Sequence, residues 1–306
     1  MDGAFDCRIA ATALQQHPAY ADALRSLGHS VGRVGLHAGR RRIGTMQVIE
    51  RRFPLIGRIA YGARGPVWTA EADDVTRRGA LATLAGQRRP IVIDAEAPSD
   101  AKALAAAGFF RLSRGQPLAR LDLSMPHELR RACLHQKWRN RLVKAESHKL
   151  KLHHGPMSAD PDHWVIKGNA RHRKTVGYRA LPDALLLALA AQAPDRVQLF
   201  SAFHEGRPCA GMVFVRHGVT ASYYLGWSGE VGRRLSAHNL LLWEASCWLA
   251  DHGHIWLDLR VCPANSGLAR FKLGTGASSC TLGGTWISSP LTRPFRRRPG
   301  SSDRGA

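Results

Sequence analysis

The feature that most constrains the fold is an order of apolar segments that occurs twice along the chain. In the second half, three β-prone runs, residues 197–203, 209–215 and 219–225, are separated by short polar turns. This pattern is typical of an antiparallel meander. A long apolar helix follows, with Ser236 as an N-cap oxygen and Gly253 as its C-terminal stop. A strand, a short helix and a last strand complete the predicted order β-β-β-α-β-α-β; they are residues 255–259, 266–273 and 280–287.

The first half shows the same order in a fainter form, which indicates two copies of one unit. The sequence therefore predicts an α+β protein with mixed, mostly antiparallel sheets flanked by helices. Its predicted domains are a first unit over residues 1–125, a linking and covering segment over 126–195, and a second unit over 196–289. The predicted elements of the first half are strands 31–37, 43–49 and 56–61, helix 70–85, strand 90–94, helix 99–107, and strand 109–123 with a break at Gly115 and Gln116.

The linking segment begins with a predicted basic helix over residues 126–149. Four apolar residues fall on one face of it, and basic residues fall on the other. Residues 153–177 are rich in His, Pro and Gly and are interpreted as a loop over the site, before a helix that starts at Asp183. The apolar face consists of Leu134, Trp138, Leu142 and Ala145, and the basic face of Arg130, Arg131, Lys137, Arg141 and Lys144.

The charge of the chain favours anionic partners. The sequence has 44 Lys and Arg against 23 Asp and Glu, a formal charge of +21. Such a balance suits nucleic acid, a nucleotide cofactor or an acidic membrane surface, and equally a solvated basic surface without a partner. Part of it lies in residues 290–306, predicted to be a disordered tail. Six scattered cysteines without a C-x-x-C pair, and the lack of a signal peptide or a bilayer-spanning apolar run, favour a cytoplasmic protein.

The clearest candidate binding site is the glycine-rich junction at residues 226–236. It leads from a predicted strand into the long helix. Free N–H groups at a helix start, the helix dipole and neighbouring arginines together favour an anion such as a pyrophosphate. The alternative is that these glycines only make a tight turn. The candidate donor-binding residues are Gly229, Gly232, Arg233, Arg234, Ser236 and His238.

A second candidate site lies at residues 267–276, after the apolar strand that ends near Asp258. Arg270 and Lys272 stand there on a short helical turn. A cation at this point suits the oxyanion that develops when an amine attacks an ester or thioester carbonyl. The fifteen histidines include no H-E-x-x-H or Cys/His pairing, so no metal site is predicted.

Several stretches of the sequence resemble the FemAB-like proteins of the acyl-CoA N-acyltransferase (GNAT) fold. These proteins are similar to peptidoglycan-bridge aminoacyl transferases, which consist of two tandem GNAT units, and the resemblance implies the same architecture here. Gly229, Gly232 and Arg233 look like a loosened form of the GNAT pyrophosphate loop. The stretches that carry the resemblance are Tyr-Tyr-Leu-Gly-Trp-Ser from residue 223, Leu-Asp-Leu from 257, Ala-Arg-Phe-Lys-Leu-Gly from 269, Ala-Arg-Gly-Pro-Val-Trp from 63 and Trp-Arg-Asn-Arg-Leu-Val-Lys-Ala-Glu from 138.

The resemblance also implies roles for individual residues. Lys272 matches the lysine of the family's R-F-K motif and would contact the reacting carbonyl or the donor. Asp258 would orient Lys272 or act as a base, or serve only as a structural group at a strand end. Tyr223 and Tyr224 point to opposite faces of a strand, so only one can enter the site, and Tyr224 is the candidate. Arg139, Arg141 and Arg270 are the candidates for binding a phosphate-bearing substrate.

The function expected from these observations is transfer of an acyl group from acyl-CoA to an amine, by direct attack in a ternary complex. One alternative is an aminoacyl-tRNA donor and a cell-wall precursor as acceptor. Another is a non-catalytic GNAT pair that binds nucleic acid or an acidic partner. The expected partners are an amine-bearing small molecule or cell-wall precursor, with tRNA and peripheral contact with an acidic membrane as further options.

Overall fold

Two seven-stranded sheets with helices packed against them form the described part of the protein, a computed structural model. This architecture confirms the predicted α+β class with mixed, mostly antiparallel sheets. The predicted tail, residues 290–306, lies outside the described residues. The structure describes residues 12–54, 57–87, 89–177, 181–262 and 266–288.

The elements follow the predicted order closely. In chain order the strands are β1 (Ser30–Ala38), β2 (Arg41–Phe53), β3 (Gly57–Gly65), β4 (Val67–Trp68), β5 (Ile91–Ala95), β6 (Phe110–Ser113), β7 (Pro117–Asp122), β8 (Lys151–Pro156), β9 (Val197–His204), β10 (Arg207–His217), β11 (Thr220–Ser228), β12 (Trp256–Val261), β13 (Ser278–Thr281) and β14 (Gly284–Ser288). The α-helices are α1 (Pro18–Ser26), α2 (Asp74–Ala85), α3 (Pro98–Ala106), α4 (His127–Ala132), α5 (Gln136–Ser147), α6 (Trp164–Val176), α7 (Asp183–Gln192), α8 (Glu230–Arg234), α9 (Ala237–Asp251) and α10 (Gly267–Leu273).

The two sheets belong to two compact units. The described parts of Met1–Val31 and Gln116–Leu282 form the larger unit, and those of Gly32–Gly115 and Gly283–Ala306 form the smaller one. The strand order is β1-β2-β3-β5-β14-β6 in the smaller unit, where β4 also pairs with β2, and β13-β7-β12-β11-β10-β9-β8 in the larger one.

The last predicted strand of each half, residues 109–123 and 280–287, consists in the structure of two shorter strands that join different sheets. In the first half β6 stays in the smaller unit, while β7 pairs with β12 and β13 in the larger one. At the chain's other end β13 stays in the larger unit, while β14 inserts between β5 and β6. The second break falls at Gly284, whose φ of +88° suits a residue without a Cβ. Each half therefore supplies one strand to the unit formed mainly by the other.

Helix α9 forms the centre of the larger unit's core. The side chains of Leu241, Ala245 and Leu249 are completely or almost completely buried. They pack in one cluster with residues of the sheet such as Phe214. The predicted start of this helix is correct, but the predicted cap is wrong: the Ser236 side chain accepts no capping hydrogen bond. The helix ends as predicted before Gly253, where the His254 N–H bonds to the Leu249 carbonyl.

The linking segment differs from its prediction in three ways. The basic helix is two helices, α4 and α5, which meet at residues 133–135. Arg130, predicted on the exposed basic face, is only 2% exposed. Residues 153–177, predicted as a loop, supply part of the edge strand β8 and helix α6. The four residues of the predicted apolar face are all buried, as expected. Across the described ranges, no helix is both long and apolar enough to cross a membrane.

Candidate active site

The parallel strands β11 and β12 pair over a short distance and then separate. The three pairs run from Thr220 opposite Trp256 to Ser222 opposite Asp258, although β11 continues to Ser228 and β12 to Val261. Beyond the last pair, the backbone groups of each strand need other partners. In the smaller unit, the parallel strands β3 and β5 pair as far as Gly65 and Ala95. The larger unit therefore differs from the smaller one in that its parallel strands separate well before they end.

The Lys272 ammonium lies between the separated strands. Its Nζ donates to the Val261 carbonyl oxygen at 2.9 Å and lies 6.0 Å from the centre of the Tyr223 ring. Val261 ends β12 and Tyr223 follows the last paired residue of β11. Lys272 belongs to helix α10, which fixes its position. The start of this helix is stabilised by the Ser266 side chain, which accepts a hydrogen bond from the Ala269 N–H.

Burial lowers the pKa of Lys272 to about 8. The side chain is 4% exposed, so the charged form loses much of its hydration. Cys262 and Asp258 act in the opposite direction, and Arg260 adds to the lowering. An amine with this pKa is partly deprotonated near neutral pH, which suits proton transfer as well as charge stabilisation.

The lowered pKa predicts a stability that depends on pH. Between about pH 8 and 10.5 the unfolded state binds a proton that the folded state has lost, so stability should rise with pH through this window. The full shift corresponds to about 3 kcal/mol. Because the raised pKa values of Cys209, Cys247 and Tyr224 give the opposite slope, the measurement is the difference in unfolding free energy between the wild type and Lys272→Met. A difference that is constant from pH 7.5 to 10.5 would contradict the shift.

Asp258 is buried at the last strand pair and shapes the backbone that follows it. It is 1% exposed, and its Oδ1 accepts from the Arg260 N–H at 2.6 Å. Arg260 has a φ of +67°, a left-handed conformation that non-glycine residues rarely adopt and that is often found at functional sites. The Arg260 guanidinium donates to the Tyr224 carbonyl oxygen at 3.3 Å across the opening. Sequence reasoning missed Arg260, because only its backbone conformation distinguishes it.

The two tyrosines of β11 face opposite sides, and Tyr223 rather than Tyr224 faces Lys272. Tyr223 packs beside Phe214 and the core around α9. The Tyr224 hydroxyl donates to the Pro182 carbonyl oxygen at 2.8 Å, and burial raises its pKa. A β-bulge in β11, opposite Val213 and Phe214, sets which tyrosine lies on which face.

This arrangement predicts different effects for two substitutions. Tyr224→Phe should lower the free energy of unfolding by about 1 kcal/mol through loss of one hydrogen bond, with little change in transfer rate. Tyr223→Leu removes the ring beside the ammonium and should reduce the transfer rate more. Denaturant unfolding and transfer rates measured on both variants check this. A greater loss of rate in the Tyr224 variant would reverse the assignment.

The glycine-rich junction makes a tight turn at the end of β11. The Gly229 N–H donates to the Cys209 carbonyl oxygen at 2.9 Å. A Cβ on Gly232 would lie 2.3 Å from that same oxygen and 2.6 Å from the Ser228 Oγ. Only glycine fits at position 232, because any side chain there would collide with the Cys209 backbone.

The remaining residues of the junction have distinct environments. Arg233 and Arg234 are both exposed, and the Arg233 Nη1 donates to the Ser228 carbonyl oxygen at 2.7 Å and so holds the turn. Ser236 has a φ of +55° and joins α8 to α9. Burial lowers the pKa of His238, and its Nε2 lies 3.0 Å from the Trp227 carbonyl oxygen. His238 therefore serves as a neutral donor to that carbonyl.

The junction and the Lys272 helix lie next to each other. The His238 ring, in the first turn of α9, is 6.4 Å from the Phe271 ring. On α6, the buried Asn169 donates to the Gly226 carbonyl oxygen at 2.8 Å. Asn169 is a second residue that sequence reasoning missed, because it lies in the segment predicted as a loop.

The three predicted substrate arginines occupy different positions. The Arg139 Nη2 donates to the carbonyl oxygens of Ala132 and Leu134, at the end of α4. Arg141 and Arg270 are exposed. Over the ranges that the structure describes, no three His, Cys, Asp or Glu side chains form a cluster suited to a metal ion.

Comparison with known proteins identifies the class of the larger unit. Residues 157–277 match the family described as "Acetyltransferase (GNAT) domain". These residues include the separated strands, the junction and Lys272. This part of the chain is thus similar to GNAT acetyltransferase domains, and the chain has the GNAT fold, in agreement with the predicted class. No curated protein sequence matches the chain.

Within the GNAT class the chain is similar to FemAB-like proteins, which confirms the resemblance found in the sequence. The crystal structure of FemX superposes with a TM-score of 0.75 at 12% identity, covering 92% of this chain and 94% of FemX. A tandem GNAT protein from the clavulanic acid biosynthesis pathway gives 0.50 at 12% identity, covering 87% and 84%. L-PGS from Bacillus licheniformis gives 0.51 at 10% identity, covering 90% and 92%. At these identities the likeness concerns the fold.

Proposed function

We propose that the protein is an N-acyltransferase that moves an acyl group from acyl-CoA to an amine by direct attack in a ternary complex. The observation that carries the proposal is the separation of β11 from β12, with the Lys272 ammonium between the two strands and the glycine-rich junction at the end of β11. A carbonyl placed between the strands would lie near a cation. A donor phosphate at the junction would meet the start of α9.

In this proposal the junction from Gly229 to Ser236 holds the donor pyrophosphate. The backbone path through Gly232 presents the N–H groups, and the exposed Arg234 adds charge. Arg233 and His238 act mainly by holding the junction in shape, because each donates to a backbone carbonyl.

In the chemical step the amine nitrogen attacks the acyl carbon to form a tetrahedral oxyanion, and the carbon–sulfur bond breaks when this oxyanion collapses to the amide. Protonated Lys272 stabilises the oxyanion that forms, and coenzyme A leaves as a thiolate that takes up a proton. A side chain or water removes the proton from the attacking amine. Asp258 acts indirectly, because its charge favours the protonated form of Lys272 and its Oδ1 fixes the Arg260 backbone.

We also propose that the larger unit is catalytic and that the smaller one is a degenerate GNAT unit. The support is the pairing of β3 and β5 up to Gly65 and Ala95, which keeps the equivalent strands together. Arg141 and Arg270, both exposed, are the proposed contacts for a phosphate-bearing acceptor. Arg139 is a weaker candidate, because backbone carbonyls already occupy its Nη2.

An aminoacyl-tRNA donor with a cell-wall precursor as acceptor is the second candidate. The formal charge of +21 favours it, because tRNA binding depends strongly on basic side chains. The two donors differ in their salt dependence: tRNA affinity should fall steeply with salt, whereas coenzyme A affinity should depend mainly on the junction at Gly232.

The test incubates the purified protein with a panel of acyl-CoA species and amines from a cell extract, and follows products by mass spectrometry. A parallel arm supplies charged tRNA. Acylated amines in the first arm only support the proposal, and products in the second arm only support the alternative. If neither arm yields product and calorimetry shows no coenzyme A binding, the proposal is wrong and a non-catalytic binding role is favoured.

A further inference from the structure

Arg130 is a buried cation that the proposed reaction does not use. Its side chain on α4 is 2% exposed. It donates through Nη1 to the backbone oxygen and Oγ of Ser246, at 3.3 and 3.1 Å, and through Nη2 to the Cys247 sulfur at 3.7 Å. Its guanidinium also lies 5.6 Å from the centre of the Trp243 ring. All of these partners are neutral.

Arg130 lacks an acidic counter-ion within the described part of the chain, where no ion pair includes it. Its neighbour Arg131, by contrast, forms a two-point ion pair with Glu146. Burying a charge is costly unless the charge is paired, and arginine does not escape that cost by releasing its proton. An anion beside Arg130 would provide the missing charge.

A cavity lined by Arg130 and Trp138 lies beside the buried guanidinium. Its empty space, including the part open to solvent, is about 230 Å³, and its enclosed interior has room for about one water-sized particle. Two N–H donors of its lining residues, the Arg130 Nε and the Trp138 Nε1, are buried and have no hydrogen-bond acceptor among the described residues. The lining consists of Leu121, Arg130, Leu134, Trp138, Leu242, Trp243, Ser246 and Thr275.

The character of the cavity selects the kind of ligand. A neutral water could accept from one or both donors, but it would leave the buried positive charge uncompensated. A nucleotide or a phosphorylated metabolite is too large for the space. The charge, the two N–H donors and the size together fit a small monovalent inorganic anion.

We propose that this cavity binds a small monovalent anion of the size of chloride, held by Arg130 and Trp138. The site is separate from the proposed donor site but adjoins the helix that carries Lys272. The Thr275 hydroxyl donates to the Lys272 carbonyl oxygen at 2.6 Å, and the Trp138 ring packs against Gly274. The bound anion therefore supports the C-terminal end of α10.

The experiment measures thermal unfolding of the whole chain in sodium chloride, sodium bromide and sodium gluconate at equal ionic strength. Gluconate is too large for the cavity, so it corrects for general salt effects on a highly basic protein. The wild type should be stabilised saturably by chloride and bromide relative to gluconate. Arg130→Met, which keeps the side-chain length, should lose that increment. Lys137→Met removes one exposed charge from the same segment and should retain it.

A second measurement covers the case in which Arg130→Met does not fold. The ³⁵Cl relaxation rate of the wild type should rise on protein addition and return towards its free value when bromide competes. Loss of the chloride increment in Arg130→Met alone, or competitive chloride relaxation, supports the site. Equal responses in chloride and gluconate, or the same chloride response in Arg130→Met and the wild type, would show that the cavity holds only water.

Discussion

Replacing Lys272 with methionine is expected to lower the rate of acyl transfer by about 100- to 1,000-fold, the range measured when a single oxyanion donor is removed. Methionine keeps the length of the side chain but has no charge to place between β11 and β12. The Val261 carbonyl, which accepts from the lysine Nζ at 2.9 Å, also loses its donor. The rate is measured by the mass-spectrometric assay with the acyl-CoA that gives most product.

The pH dependence of the wild-type rate separates two roles for the same lysine. If the charged form stabilises the oxyanion, the rate should fall as the pH rises through about 8, the pKa of Lys272. A rate that rises through this pH would assign Lys272 as a base. Lys144→Met, an exposed change on α5, should leave the rate unchanged. Wild-type activity in a folded Lys272→Met protein would remove the lysine from the mechanism.

Replacing Gly232 with alanine is expected to weaken coenzyme A binding at least tenfold, which corresponds to about 1.4 kcal/mol. The added Cβ would lie 2.3 Å from the Cys209 carbonyl oxygen, which also accepts from the Gly229 N–H. The chain must move to relieve this contact, at a strain of about 1 to 3 kcal/mol. That movement shifts the junction away from the position that would hold a phosphate.

The control for Gly232→Ala is Gly155→Ala on strand β8. A Cβ there meets no atom within 4 Å, so affinity and stability should change little. Isothermal titration calorimetry gives the affinity, and thermal unfolding shows how much of each variant is folded. An unchanged affinity in a folded Gly232→Ala protein would show that the glycine serves the turn alone and that the donor binds elsewhere.

Most elements of the fold could be predicted from the sequence because their signals are local. The β9–β10 hairpin has a two-residue turn between two apolar runs, and α9 has an apolar run with a glycine stop. The exchange of β7 and β14 could not be predicted, because local residue types do not specify which distant strand becomes the pairing partner. Residues 280–287 look like one long strand, whereas the break in residues 109–123 at Gly115 and Gln116 is visible in the sequence. In both cases only the pairing shows that the two parts join different sheets.

The sequence order brings the candidate site residues into neighbouring elements, but the details of the site depend on contacts between distant residues, and the roles of these residues stay predictions. The position of Lys272 next to the end of a strand follows from the sequence order. The choice between Tyr223 and Tyr224 depends on a bulge in β11, where Tyr224 is skipped in the pairing with β10. Arg130 was placed on the basic face because of its charge, although the i, i+4 spacing that links Leu142, Trp138 and Leu134 continues back to Arg130. The break at residues 133–135, which has no proline or glycine, gives little local signal.

The position of β14 has a consequence for how the protein is made. This strand fills the gap between β5 and β6, yet it is synthesised after every other strand of that sheet. Until residues 284–288 leave the ribosome, the sheet that begins at Ser30 has two open edges in its interior, where exposed backbone groups can pair wrongly. The smaller unit should therefore reach its native state only after residues 284–288 have been synthesised, and a chain that stops before Gly284 should be degraded or aggregate.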